Sequence, residues 1–163
     1  MLKRTCEMAR EHRYTTTLTW TGNAGSGTST YRAYERGHEI VVEGKPAIPG
    51  SSDPHFRGDA RRYNPEELLV ASLSACHMLW YLHLCSEAGV VVTGYADRAE
   101  GTMIEDAGGA GRFARVTLRP HVTVRADSDV ETARELHHAA HEKCFIANSV
   151  NFPVDCEPSI MTE

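Results

Sequence analysis

The sequence lacks a long unbroken apolar run, a close Cys-x-x-Cys pair and an excess of positive charge. Its longest apolar stretch, Leu68 to Leu84, is interrupted by Ser72, Ser74, His77 and His83 and bracketed by Glu66, Glu67 and Glu87. A membrane span needs roughly 20 mostly apolar residues, so a buried helix fits this stretch better and no membrane partner is expected. The formal net charge of -5 and pI of about 6.0 argue against a surface that neutralises nucleic-acid phosphates, and the short basic stretch Arg57 to Arg62 does not alter that. The polar leader, residues 1–12, shows no succession of basic, apolar and small residues, and the expected location is the cytoplasm.

The chain has 163 residues, 41% hydrophobic and 24% charged, which excludes a disordered or fibrous class and suits a single domain, 1–163. Its five cysteines, at positions 6, 76, 85, 144 and 156, are odd in number and have no framework spacing. In a reducing compartment such residues are core, catalytic or metal-binding.

The first third reads as strands. Arg13 to Trp20 is rich in β-branched and aromatic residues, and Thr30 to Gly44 offers two more strands turning near Gly37. Residues 45–63 carry prolines, glycines and aspartates and form a long loop, the kind that is functional or disordered. The helix that follows is well signalled: Asn64 suits the N-cap, Pro65 the first turn, Glu67 a capping box and Gly89 the stop. Apolar residues all round it predict burial on most of its circumference, more than one small domain supplies, so a partner subunit is expected.

Val90 to Ile104 and Arg112 to Ala126 read as two strands of a hairpin joined by the flexible stretch Glu105 to Gly111. A second helix is expected from Ser128, with Ala133, Leu136, Ala140 and Cys144 on its apolar stripe, and then one strand broken by Pro153 and Pro158, hence an edge. The order makes the fold class α+β.

Each helix thus carries an interior cysteine, Cys76 and Cys144. Peroxide reduction by thiols requires a nucleophilic thiolate, charge stabilisation for the leaving alkoxide and a second thiol to trap the sulfenic acid. A mid-helix cysteine gains little from the helix N-terminus, so a cation must come from elsewhere, and arginine serves better than lysine because it stays charged when buried.

The run Asn-Pro-Glu at 64–66 leading to Cys76, with the later Cys144 in Ala140 to Val150, resembles the OsmC-like family, which includes the organic hydroperoxide resistance proteins. The resemblance covers most of the chain in its order of elements. It implies antiparallel sheets around two helices, a long central helix and an intertwined homodimer. It also implies a thiol peroxidase acting on organic hydroperoxides, recycled by an external dithiol and needing no cofactor or metal. Cys76 matches the peroxidatic cysteine, Cys144 the resolving one, and Glu66 the glutamate that holds the catalytic arginine. The family's Arg-Phe-x-Gly motif stands here as His55, Phe56, Arg57 and Gly58. Arg57 is the preferred cation and Arg32 the second. Phe145 takes the place of a proline that often follows the second cysteine, which predicts that Cys144 continues its helix. Helical rise sets Glu66 about 15 Å from Cys76, so a site completed across the dimer is expected.

Other readings stand beside this one. Cys76 is also suited to plain packing in a buried helix, and Cys6, Cys85 and Cys156 read as packing residues. Glu66 and Glu67 suit an exposed first helical turn for electrostatic reasons alone. His137, His141 and Cys144 recur at helical spacings and offer a metal site to which His77 or His83 could add a ligand. A non-catalytic hydrophobic binder, with Met78, Trp80 and Tyr81 near an interface, is the third class.

Overall fold

The computed structural model describes residues 10–163; Cys6 and most of the polar leader lie outside the described residues. The chain forms two compact units, Met1–Pro65 and Glu66–Glu163, where length and composition point to one domain.

The first unit is an antiparallel sheet in the order β1 (Thr17–Trp20), β2 (His38–Val41), β3 (Ile48–Gly50), with Leu18 opposite Ile40 and Ile40 opposite Ile48. Only the second half of the expected strand Arg13 to Trp20 is paired. The strand expected from Thr30 is instead a turn, because Arg36 organises it: its guanidinium lies 4.4 Å from the Tyr31 ring and 4.1 Å from the Tyr34 ring and donates to both their carbonyls. No strand ladder competes with a guanidinium that satisfies two carbonyls and stacks on two rings.

The loop 45–63 is ordered too. It contains β3 and a short 3-10 turn, Pro54–Phe56, whose cap Asp53 accepts from the His55 backbone N–H. Arg57 follows in the left-handed region at φ 66°. Gly58 must be glycine, since a Cβ there would lie 1.5 Å from the Ser52 carbonyl oxygen. Among the described residues, this unit fully buries only Gly22, Gly50, Ser51 and Asn64. Leu18 and Trp20 stay exposed.

The second unit is organised by α1 (Pro65–Ala88), which ends at Gly89 in the left-handed region at φ 75°. Within the chain α1 buries one stripe, Leu73, His77, Tyr81 and Cys85, each four residues from the next. The spacing places them on one face; burial on most of the circumference is not what the single chain provides, and Leu79 is 63% exposed. By length and composition alone α1 would also pass for a membrane span.

The expected hairpin is four strands in two sheets. β4 (Val92–Asp97) pairs with β7 (Pro120–Val124), and β5 (Glu100–Glu105) pairs with β6 (Gly111–Leu118). The break falls at Arg98–Ala99 and Arg119, where the Asp97 carboxylate accepts from the Arg119 backbone N–H at 2.7 Å and from the Ser74 hydroxyl. The C-terminal strand is likewise two, β8 (Val154–Cys156) parallel to β6 and β9 (Ser159–Thr162) parallel to β7. Both are edges, as the prolines require.

Two apolar clusters fill this unit. Leu73, Val116 and Leu118 form one; Tyr81, Cys85, Val90, Val122, Val124, Ala133 and Ala140 form the other. Each large aliphatic side chain buried this way contributes about 1.5–3 kcal/mol.

The second helix, α2, spans Val130–Lys143 and is capped by Asp129, which accepts from the N–H groups of Glu131 and Thr132. Ser128, the expected start, is used otherwise: its hydroxyl accepts from the Val91 N–H at 3.1 Å.

Candidate active site

Cys76 lies half-buried in the fourth turn of α1, and Cys144 is 1% exposed. The expectation that Cys144 continues α2 is corrected. The helix stops at Lys143, and Cys144 takes an extended conformation at φ -67°, ψ 110°. No proline is needed for the stop, because the chain turns at once into a short 3-10 helix, Ala147–Ser149. Asn148 anchors that turn by donating to the Glu142 carbonyl at 2.9 Å and, through its backbone N–H, to the Cys144 carbonyl at 3.0 Å.

The consequence is a thiol pair. Cys76 is close enough to Cys144 to raise its thiol electrostatically, and the Ala147 N–H points at the Cys144 sulfur at 3.4 Å. Burial pushes the Cys144 thiol up to about 11, helped by the neighbouring Cys76 and opposed by the Ala147 N–H, so Cys144 rests as a neutral thiol near pH 7. One turn further along α1, the Trp80 ring meets Phe145 edge-on at 5.6 Å and carries the Lys143 ammonium 5.7 Å above it. These contacts fix the end of α2 against the part of α1 that carries Cys76.

Glu66 occupies the first turn of α1, half-buried, and its Oε2 is buried with no hydrogen-bond partner among the described residues. A carboxylate oxygen in that condition is costly and calls for a cation. That departs from the reading in which Glu66 is simply exposed. Arg57 and Arg32 belong to the first unit, both exposed, with the Arg57 guanidinium 6.0 Å from the Tyr31 ring. His55, standing where the family motif has arginine, is exposed and pairs through Nδ1 with Asp53 at 2.7 Å.

The histidines group differently from the expectation. His137 does not join His141 and Cys144; among the described residues, the three ligand-type atoms that lie within 4.8 Å of one another belong to His77, His137 and Cys156. Cys156 therefore sits beside two buried imidazoles. Tyr81 is no interface residue within this chain either, being fully buried with its ring stacked on His137 at 3.8 Å. The signal for His77 was present in the sequence, since it falls on the four-residue stripe of Leu73, Tyr81 and Cys85. Nothing local marks Cys156.

The family model of OsmC-like proteins matches residues 58–159. The chain belongs to the OsmC-like family. A solved OsmC-like protein of unknown function from Vibrio cholerae O1 biovar eltor is 32% identical, with a TM-score of 0.82 over 91% of this chain and 100% of that one. An organic hydroperoxide resistance protein from Elizabethkingia anophelis shares the fold at 17% identity and a TM-score of 0.63, covering 94% of this chain and 100% of its own. A Legionella pneumophila protein described as organic hydroperoxide resistance protein OsmC does so at 18% identity and 0.61, over 92% and 98% of the two chains. No curated protein matches the chain. The OsmC-like α+β fold expected from the residues is thus the fold observed.

Proposed function

We propose that this OsmC-like protein reduces organic hydroperoxides with Cys76 as nucleophile and Cys144 as resolving thiol. The observation that carries the reading is the proximity of the two thiols, near enough for Cys76 to perturb Cys144, one half-buried and one buried. Cys76 as thiolate attacks the terminal peroxide oxygen, the O–O bond breaks, and the alkoxide leaves and takes up a proton. Cys76 is then a sulfenic acid. The Cys144 sulfur displaces its hydroxyl as water and closes a Cys76–Cys144 disulfide, which an external dithiol reopens.

The leaving alkoxide and the thiolate need a cation. In this reading Arg57 supplies it, with Arg32 the second choice, held by Glu66 of a partner subunit in an intertwined homodimer. Support comes from the buried, unpartnered Glu66 oxygen and from the uncovered apolar face of α1 around Leu79. The exposed Leu18 and Trp20 of β1 point the same way, toward a second chain as cover. A reducing cytoplasm would keep both thiols ready.

Reduced protein mixed with one equivalent of an alkyl hydroperoxide should lose two thiols per chain rapidly, and Cys76→Ser should lose none on that timescale. Equal slow loss in both proteins would overturn the proposal.

A further inference from the structure

A second thiol centre lies on the adjacent face of the same helix. His77 Nε2 and His137 Nδ1 face each other at 3.0 Å, and the Cys156 sulfur lies 3.5 Å from the first and 4.0 Å from the second. Both imidazoles are almost wholly buried, at 1% and 3% exposure. The three residues come from α1, α2 and β8, so only the folded second unit assembles them.

We infer that His77, His137 and Cys156 form a binding site for a divalent cation of the zinc class.

The geometry suits it. The three atoms define a triangle whose centre is about 2.1 Å from each, against usual distances of about 2.0–2.1 Å for zinc–nitrogen and about 2.3 Å for zinc–sulfur. Two imidazoles and a thiolate are a donor set for a borderline-soft ion rather than for magnesium or calcium. The outer nitrogens, His77 Nδ1 and His137 Nε2, are buried and have no hydrogen-bond partner among the described residues. Among the described residues the hydrogen bonding of the two rings is confined to their inner nitrogens, which face each other with the ring planes 7° apart and the Cys156 sulfur beside the pair. Packing holds the rings there, with Tyr81 stacked on His137.

The protonation states agree with a ligand role. Burial depresses His77 to about 4 and His137 to about 3, leaving both as neutral rings with lone pairs available. On binding, Cys156 gives its thiol proton to solvent and the cation takes the place that proton held. Two of the three residues, His137 and Cys156, also line a cavity of about 320 Å³ together with Arg134, His138, His141 and Asp155. In this proposal the cavity is the side from which a cation enters and a fourth ligand completes a three-ligand zinc site. Ordinary packing would be served by apolar side chains at all three positions, without the cost of burying polar rings.

The test uses cobalt(II) added to the full chain carrying Cys76→Ser and Cys144→Ser, so that the first thiol pair cannot contribute. One cobalt per chain with a thiolate-to-cobalt charge-transfer band supports the site, as does loss of that band on adding Cys156→Ser while the far-ultraviolet circular dichroism is unchanged. A band that persists without Cys156, or no band at all, overturns it. Should Cys156→Ser fail to fold, zinc is added to the unaltered protein and alkylation is followed by mass spectrometry. Protection of Cys156 with continued labelling of Cys76 supports the site, and unprotected Cys156 overturns it.

Discussion

Cys76 and His77 are neighbours in sequence yet serve two unlike centres. On an α-helix consecutive side chains are about 100° apart, so Cys76 turns to Cys144 at the end of α2 while His77 turns to His137 and Cys156. The first centre is two sulfurs with no imidazole, half open on one side. The second is two neutral, buried imidazoles and one half-buried thiol. A thiol that must meet a substrate needs access and a neighbouring trap; a thiol that holds an ion needs neutral nitrogen donors and enclosure. One helix supplies both because the end of α2 lies by Cys76 while the body of α2 and β8 lie by His77.

Substitutions should separate the two centres. The largest expected effect is Cys76→Ser, which removes hydroperoxide turnover by at least about three orders of magnitude, in line with loss of a covalent nucleophile, and leaves metal binding at Cys156 intact. Steady-state peroxide consumption and cobalt absorption on the same sample check this. Cys144→Ser should allow a single turnover and then accumulate sulfenic acid at Cys76, visible by trapping with a dione reagent.

Next in size is Leu73→Ala. Leu73 is fully buried beneath α1, and its truncation should cost about 2–5 kcal/mol in denaturant unfolding, weakening both centres together. Leu79→Ala, on the uncovered face, should change stability little at high dilution and, if the proposed homodimer packs on that face, should weaken self-association measured by sedimentation.

A pH scan gives a smaller effect that touches both centres, since burial also raises the Cys156 thiol, to about 12. For Cys144, burial raises the folded-state value from the ordinary 9.0 to about 11. The unfolded chain therefore loses that proton first, so its contribution to stability is complete below about pH 9 and falls as pH rises toward 11. Unfolding midpoints should drop over that window, and the drop should be reduced in Cys144→Ala. The smallest effect is expected for His55→Ala, whose pair with Asp53 is solvent-exposed and screened, and the unfolding midpoint should stay within error of the parent.

The helices were legible because their signals are local. Asn64, Pro65 and Gly89 mark the ends of α1, and its cysteine motif carried the family. The breaks at Arg98 and Arg119 were not legible, because they depend on Asp97 reaching a backbone N–H from another strand. Arg36 was missed for a similar reason: a guanidinium that folds a turn around itself looks in sequence like any charge in a strand. The end of α2 at Lys143 is set by Asn148 reaching back to Glu142, a contact that no propensity encodes. Cys156 was the largest miss, since its partners lie 19 and 79 residues away. Such meetings are made by the sheet and not by spacing.

The most direct test of the comparison is a disulfide map. Reduced protein is treated with one equivalent of an alkyl hydroperoxide, quenched with an alkylating reagent and digested without reductant. The account predicts one linked peptide pair, Cys76 with Cys144, and alkylated Cys85 and Cys156. A disulfide or higher oxide at Cys156, with Cys76 still free, would contradict it.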